Sequence, residues 1–303
     1  MKGQCLKYWA LLSFALSPIP LLAIEPQPAN TTAEEFETKF NFEAKPVWEV
    51  GFGAGYFSGK DYPGSNDPNI AQFALPFFIY RSKIFRIGGG GVGAVAVEEP
   101  RLKLDVSFGG SLNAESEPDS VRAGLPDLDL LFEFGPRLQY TLFDLPSTSG
   151  SNSRLNWDSK IRAVAKTDFK GISTQGFVIG TGLGYTKRGI ATDKIDLIFN
   201  ADITFGDQRY NDYLYTVSVE YATPQRAQYT AKAGYVESRI FLGLAFKPLG
   251  TLRIFTGVAA FSHANSANEK SPLFESTNSV QYAVGVVWTA YKSKKTINVY
   301  ESN

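Results

Sequence analysis

The residue types that most often perform chemistry in proteins are sparse in this chain of 303 residues. His263 is the one histidine and Cys5 the one cysteine, so a zinc site or a histidine-dependent nucleophile lacks partner residues. Ser262 precedes His263 directly, but adjacent residues on a strand point to opposite faces. We therefore expect His263 to be a solvated loop residue and the protein not to be an enzyme. A hydrolase that depends on His263 is the less favoured alternative.

Four aspartates lie in predicted loops beside tyrosine or glycine: Asp61, Asp67, Asp207 and Asp212. Their carboxylates could bind a cation, but ordinary polar turns use the same residues, and the turn interpretation is favoured. The glycine-rich stretch GGGGVG at 88–93 is followed by no Lys-Ser/Thr pair and no predicted helix, which argues against a phosphate-binding loop. No cofactor and no metal site is therefore predicted.

Charged residues recur instead at alternating positions. In RLKLDVSFGGSLN, residues 101–113, charged and small polar side chains alternate with leucine, valine and phenylalanine, which is typical of a strand with two different faces. Both charge signs occur on neighbouring predicted strands, so the charges can pair across a narrow lumen. The candidate lumen charges are Arg101, Lys103, Asp105, Asp129, Glu133, Arg137, Asp158, Lys160 and Arg162.

The elements that would position these charges are β-strands, because the alternation recurs in segments of about ten residues, the length of a tilted membrane strand. No segment of useful length has a helical period. We predict an all-β, antiparallel transmembrane β-barrel of twelve strands, with ten as the alternative, because bacterial single-chain barrels have an even strand number. The predicted strands are roughly 47–57, 70–80, 84–97, 101–113, 128–140, 154–166, 174–187, 194–207, 237–247, 251–262 and 280–290, and 213–235 could supply another.

A soluble, lipocalin-like barrel shows the same alternation with its apolar side chains inside, so other features must decide. The N-terminus reads as a secretory signal, and aromatic residues lie near the predicted strand ends, as in girdles at two water–lipid interfaces. A formal net charge of zero gives no reason to expect a nucleic-acid partner. These features favour the membrane barrel. The girdle candidates are Tyr56, Phe57, Tyr80, Phe143, Trp157, Tyr185, Phe246 and Tyr291.

The chain divides into four predicted segments. Residues 1–23 form a signal peptide with an uncertain cleavage point near Ala23, a short membrane anchor being the alternative. Residues 24–45 are a polar, flexible leader, and residues 46–291 are the barrel. The basic-to-polar tail 292–303 follows the last predicted strand. Removal of the signal would leave a mature chain without cysteine, and hence without disulfides.

Several motifs in a fixed order resemble those of the MipA/OmpV family, the MltA-interacting outer-membrane proteins. A glycine-rich first strand leads into a Tyr-Pro-Gly-Ser turn, and a proline-interrupted aromatic strand follows. A tyrosine-rich segment and a polar loop that ends in Ser-Pro come later in the chain. The resemblance covers about residues 46–291. The loop residues that carry it are Tyr62, Gly64, Ser65, Tyr210, Tyr213, Tyr215, Ser271 and Pro272.

The resemblance implies a barrel in the outer membrane of a Gram-negative type of cell, surrounded by lipid. It also implies a non-enzymatic scaffold that anchors a murein hydrolase or a peptidoglycan synthase. Because members of the family are described in several ways, a narrow porin-like channel and a surface adhesin or antigen remain the alternatives.

Overall fold

The computed structural model describes residues 42–81, 85–87, 92–98, 101–145 and 152–300. The predicted signal peptide, most of the predicted leader and glycines 88–91 lie outside these residues. The strands are β1 (Phe42–Pro46), β2 (Trp48–Lys60), β3 (Pro68–Arg81), β4 (Phe85–Ile87), β5 (Val92–Glu98), β6 (Leu102–Ser111), β7 (Leu130–Leu145), β8 (Asn152–Thr167), β9 (Ile172–Arg188), β10 (Ile195–Gly206), β11 (Gly234–Leu249), β12 (Leu252–Ser262), β13 (Asn278–Lys292) and β14 (Thr296–Tyr300). Between β10 and β11 lie a helix α1 (Gln208–Tyr215) and a short 3₁₀ turn (Val219–Tyr221).

Strands β2 to β13 form a closed antiparallel barrel in which each strand pairs with its neighbours in the chain and β13 pairs with β2. This confirms the predicted fold class. Residues 84–97, predicted as one strand, contain two short strands, β4 and β5, which border residues outside the described part. The strand number therefore stays a prediction.

The barrel turns its apolar side chains outward and its charged side chains inward. Phe132 on β7 and Ile161 on β8 are about half exposed, whereas Lys103 and Asp105 on β6 are buried. Each outward side chain alternates with an inward one, as the pleat of a strand requires. The apolar exterior suits hydrocarbon, and the interior keeps the ions away from it.

The glycines of β2 lie on its inward face and make room for aromatic rings of β3. A Cβ on Gly55 would lie 2.6 Å from the ring of Phe73, and a Cβ on Gly51 would meet the ring of Phe77 at 2.8 Å. Both distances are shorter than any packing contact allows. The glycines of β2 therefore leave space on its inward face, and rings of the neighbouring strand β3 pack into that space.

The two ends of the barrel differ. One end, which we call the terminal end because the first and last strands of the chain lie there, includes the short connections 189–194 and 250–251. At the other end lie the segments 61–67, 112–129, 168–171, 207–233 and 263–277, several of which are long. We call the second end the cap end, and the segments 61–67, 112–129, 207–233 and 263–277 together the cap.

Strands β1 and β14 form a separate two-stranded antiparallel ribbon at the terminal end, with Phe42 opposite Tyr300 and Pro46 opposite Thr296. Backbone hydrogen bonds continue from the ribbon into the barrel, because the Val47 amide donates to the Lys295 carbonyl over 3.0 Å. The last residues of the predicted leader and residues 296–300 of the predicted tail thus form regular structure together.

Two expectations about the chain after β10 are wrong. Residues 213–235 do not supply a strand, and the chain does contain a helical segment, α1. The helix begins where the Asp207 carboxylate accepts a hydrogen bond from the Tyr210 amide over 2.9 Å, an N-cap contact. In the part of the chain that the structure describes, no helix combines the length and the apolar character that a membrane crossing requires.

Candidate functional site in the capped lumen

The motif residues from distant parts of the sequence converge in the cap. The Tyr62 hydroxyl donates to the Leu273 carbonyl over 2.6 Å, and the Tyr215 hydroxyl donates to the Pro63 carbonyl over 2.7 Å. The Ser271 hydroxyl donates to the Tyr215 carbonyl over 2.8 Å. These bonds join the Tyr-Pro-Gly-Ser turn, helix α1 and the Ser-Pro loop into one unit.

The remaining motif residues support the same unit. Ser65 is fully buried, and its hydroxyl accepts from the Asp67 amide over 3.0 Å. Tyr210 is buried in the cap core, while the Tyr213 hydroxyl accepts from the Asp129 amide over 2.6 Å. Pro272 lies half-buried between Ser271 and Leu273. Tyr210 and Tyr215 therefore lie inside the cap rather than at a lipid interface.

Gly64 occupies a position that other residues would not tolerate. Its φ angle is +89°, and an added Cβ would lie 2.5 Å from the ring of Phe274. Its carbonyl accepts from the amides of Glu275 and Ser276 over 2.8 and 3.0 Å. The glycine thus combines a left-handed backbone with close contact between two segments of the cap.

Arg122, which was not predicted as a site residue, ties the segment 112–129 to the cap core. Its guanidinium lies 5.6 Å from the ring centre of Tyr62 and donates to the carbonyls of Leu214 and Pro126 over 3.2 and 3.0 Å. Burial lowers the pKa of Arg122 and raises that of Tyr62. Arg122 and Tyr62 thus form a cation–π pair, and two of the guanidinium nitrogens also donate hydrogen bonds. A single arginine in a polar stretch of sequence gives no sign of these contacts.

His263 is buried, so the expectation of a solvated loop residue is wrong. Its Nε2 lies 3.1 Å from the Ser279 hydroxyl, and its Nδ1 lies 3.6 Å from a Glu237 oxygen, beyond hydrogen-bond distance. The strand pairing brings Ser279 here, since it lies opposite Phe261 in β12. Burial lowers the pKa of His263 to about 4, so the imidazole is neutral and a weak general base at neutral pH.

Three of the four loop aspartates have separate roles. Asp207 is the helix N-cap, and Asp212 accepts from the Thr216 hydroxyl over 2.8 Å. Burial raises the pKa of Asp61 to about 6, although a hydrogen bond from Asn69 opposes the shift. Among the described residues, no group of three or more histidine, cysteine, aspartate or glutamate side chains could hold a metal ion.

Most of the predicted lumen charges form ion pairs inside the barrel. Arg137 donates to both oxygens of Asp105 over 2.9 and 2.7 Å, and Lys103 lies 3.1 Å from the same carboxylate. Arg162 pairs with Glu133 over 3.1 Å. Asp105 and Glu133 thus each have a cation, as burial of charge requires.

The other predicted charges divide between the lumen and the barrel ends. Lys160 lies 3.4 Å from Asp202, a lumen residue that was not predicted, and Asp202 also accepts from Arg239 over 2.7 Å. Asp129 pairs with Lys166 over 2.7 Å near the cap. Asp158 faces the lumen two residues before Lys160, whereas Arg101 is exposed at the terminal end.

The inner wall is divided between a charged side and an apolar side. Successive ladder partners share a face, which connects Ala245, Phe255, Gly285, Gly55 and Phe73 across β11, β12, β13, β2 and β3. Two adjoining cavities follow this division. A polar cavity of about 330 Å³ lies under the cap and includes Glu237, His263 and Ser279. An apolar cavity of about 800 Å³ is lined by Phe57, Phe73, Phe241 and Phe255 among others.

Comparison with known proteins gives a family match and distant structural likenesses. Residues 52–290 match the model of the family described as MltA-interacting protein MipA. No curated protein matches the chain. The chain is similar to a NanC porin, at 8% identity over 79% of this chain and 99% of that one, with a TM-score of 0.35. It is also similar to the CymD monoaromatic hydrocarbon channel, at 10% identity over 85% and 90%, with a TM-score of 0.33. A third likeness is to the toluene transporter TodX of Pseudomonas putida, at 10% identity over 80% and 89%, with a TM-score of 0.30.

Proposed function

Because the chain belongs to the MltA-interacting protein MipA family and is an outer-membrane β-barrel protein, we propose that it is a non-enzymatic scaffold that holds a murein hydrolase or a peptidoglycan synthase at the outer membrane. The name of the family supports a murein enzyme as the partner.

The orientation of the barrel follows from its connections. Bacterial outer-membrane barrels have short turns on the periplasmic side and longer loops outside. The cap segments, such as 207–233, therefore face the exterior, and the terminal end with its ribbon faces the periplasm. A partner in the murein layer meets the ribbon and not the cap.

The ribbon of β1 and β14 is the observation that carries the proposal. It is a two-stranded sheet, so each of its strands has an outer edge without a strand partner among the described residues. Such edges can pair with an extended segment of another protein. Lys292, Lys294 and Lys295 are exposed where the barrel joins the ribbon, and they favour an acidic partner surface.

The test is capture of a murein enzyme by the full chain in detergent. We expect wild-type protein to retain a murein hydrolase from periplasmic extract, identified by mass spectrometry and by activity in a peptidoglycan gel. Replacing Lys292, Lys294 and Lys295 with glutamate should reduce the captured activity by tenfold or more, roughly 1.4 kcal/mol or above. Lys170→Glu, on the exterior segment 168–171, is the matched control. Equal capture by both variants, or none by the wild type in several detergents, would count against the scaffold.

The non-enzymatic part of the proposal rests on His263. A Ser279–His263–Glu237 series has the order of a catalytic triad, but the lowered pKa and the 3.6 Å separation from Glu237 make the imidazole a poor base. The contact between His263 Nε2 and the Ser279 hydroxyl more simply gives two buried polar groups a partner in each other. Hydrolysis of lipid or peptide esters by wild type, abolished by Ser279→Ala in a folded barrel, would overturn this part of the proposal.

A further inference from the structure

Three polar side chains that line the polar cavity under the cap are left without a hydrogen bond. They are the hydroxyl of Tyr210, the carboxylate of Glu237 and the amide of Gln281. Among the residues that the structure describes, none of these side-chain groups has a hydrogen-bond partner, and the one ring nitrogen near Glu237 is His263 Nδ1 at 3.6 Å. Because buried polar groups normally have partners, this arrangement points to a ligand.

Different elements place the three groups around one space. Tyr210 lies on helix α1 in the cap, and only 7% of its surface is exposed. Glu237 faces the lumen from β11, opposite Thr204 of β10, and Gln281 faces it from β13, opposite Ala259 of β12. From β10 through β13 to β2 the wall is paired strand to strand. The site thus has a continuous wall and a roof that the cap provides.

The Glu237 carboxylate has no cation of its own. In the described part of the chain, no lysine or arginine nitrogen lies within 4 Å of it, and the neighbouring His263 is neutral. The nearby cations are engaged elsewhere, since Arg239 donates to Asp202 over 3.1 and 2.7 Å and Lys160 lies 3.4 Å from the same carboxylate. A carboxylate inside a protein requires a positive partner, which a bound cation can supply.

We propose that the polar cavity binds a small molecule through a primary ammonium group that donates to Glu237, Tyr210 and Gln281. A primary ammonium has three N–H donors and no acceptor, and the three side chains offer a carboxylate, a hydroxyl oxygen and an amide oxygen. Its charge is the one that Glu237 lacks. A volume of about 330 Å³ lies at the lower end of small-molecule sites, roughly 300–1,000 Å³, so the ligand is small.

The state of Tyr210 fits this role. Burial raises the pKa of Tyr210 well above its ordinary value, and the charges of Glu133 and Glu237 raise it further. The hydroxyl therefore keeps its proton beside two carboxylates. Its oxygen can accept from an ammonium, and no second anion has to be neutralised when the ligand binds.

The single histidine can report occupancy, because His263 lies beside Glu237. The full chain, without a histidine tag, is labelled with ¹⁵N in histidine alone and folded in detergent. Ethylamine hydrochloride then replaces sodium chloride at constant ionic strength and pH, and we expect a saturable shift of the imidazole nitrogen resonances. Tetramethylammonium chloride carries the charge without an N–H donor, and ethanol carries a donor without the charge. Neither should give a saturable shift.

Variants test whether ethylammonium binds at these side chains. Glu237→Gln should weaken binding about tenfold or more, because an amide replaces the charged acceptor. Tyr210→Phe removes only the hydroxyl, should weaken binding roughly two- to tenfold, and serves alone if Glu237→Gln does not fold. Glu220→Gln makes the same change at an exposed position of the cap and should bind as the wild type does. No saturable shift in a folded barrel, an equal shift with tetramethylammonium or ethanol, or unchanged binding by a folded site variant overturns the proposal.

Discussion

At the scale of single residues, Gly64 offers a test of how the cap closes. Gly64→Ala should destabilise the cap by about 2–5 kcal/mol, because it adds left-handed strain to a clash with Phe274. Gly124→Ala is the matched control, since Gly124 also has a positive φ, +77°, but nothing lies within 4 Å of the added Cβ. It should cost only about 1–2 kcal/mol. Samples of each purified barrel are heated to a series of temperatures and then run on a gel that keeps folded barrels folded. The measurement is the temperature at which the folded band disappears.

Two groups at the cap end, the buried His263 and the half-buried Asp61, should give opposite dependences of stability on pH. Burial depresses the folded-state pKa of His263 from 6.5 to about 4, so the unfolded chain binds the proton more tightly and stability is lost as pH falls from 6.5 to 4. Burial raises the pKa of Asp61 from 3.8 to about 6, so the folded protein binds the proton more tightly and stability is lost as pH rises from 3.8 to 6.

Neutral isosteres separate these two effects. Relative to wild type, His263→Gln should gain stability as pH falls from 6.5 to 4, and Asp61→Asn should gain stability as pH rises from 3.8 to 6. Thermal unfolding of the three proteins in one detergent, at several pH values across that range, provides the comparison. Parallel curves for wild type and either variant would mean that the replaced group does not titrate differently on folding.

At the scale of elements, the segments 112–129 and 207–233 should move together because Arg122 joins them. Arg122→Met removes the donors to the buried Leu214 and Pro126 carbonyls, which we expect to cost about 1–3 kcal/mol for each group left unpaired. Hydrogen exchange of both segments should rise while β7 and β11 stay protected. Arg209→Met, at an exposed position on α1, is the control. An effect confined to 112–129 would contradict the coupling.

The sequence predicted the strands well and the cap poorly, for a physical reason. In β6 and β10, successive side chains point alternately to the outside and to the lumen of the barrel. Every residue of the strand is therefore apolar or polar according to the side it faces. The cap is held by hydroxyl and guanidinium groups that donate to backbone carbonyls, as Tyr62 does to Leu273. Because every residue has a backbone carbonyl, the sequence does not show which one accepts. Helix α1 is only eight residues long, too short for a clear period, although Asp207 is an N-cap signal that could have marked its start.

The candidate site was predicted only in part, because alternation along a strand shows which residues point inward but not which residues they meet. Inward charges such as Lys103 and Asp105 follow from the period of the strand. Their partners across the barrel depend on register, so Asp202 and Arg239 were not recognised as members of the same network. His263 precedes a loop in sequence but faces Ser279 because β12 and β13 pair in register. The period of a single strand contains no information about that pairing.

At the scale of the whole molecule, the cap and the ion pairs together predict a closed lumen. The cap core, including Tyr210 and Tyr215, covers one end of the barrel, and paired charges fill part of the interior. We expect full-length protein in a planar bilayer to show no steady conductance. Because Gly206 lies opposite Gly234, residues 208–231 can be replaced by a Gly-Gly-Ser linker without stretching the barrel, and this deletion should open a small conductance.

The charge network should then set the ion selectivity of the opened barrel. Asp202→Asn in the deletion background leaves Arg239 and Lys160 without their shared carboxylate, so the lumen gains net positive charge and the reversal potential in a salt gradient should shift towards anions. Asp193→Asn, at an exposed turn of the terminal end, should leave the selectivity unchanged. A deletion of residues 219–225 alone removes only the tip of the loop and should stay closed. Steady conductance in the unaltered chain, or equal selectivity for the two aspartate variants, would show that ions take a path outside this network.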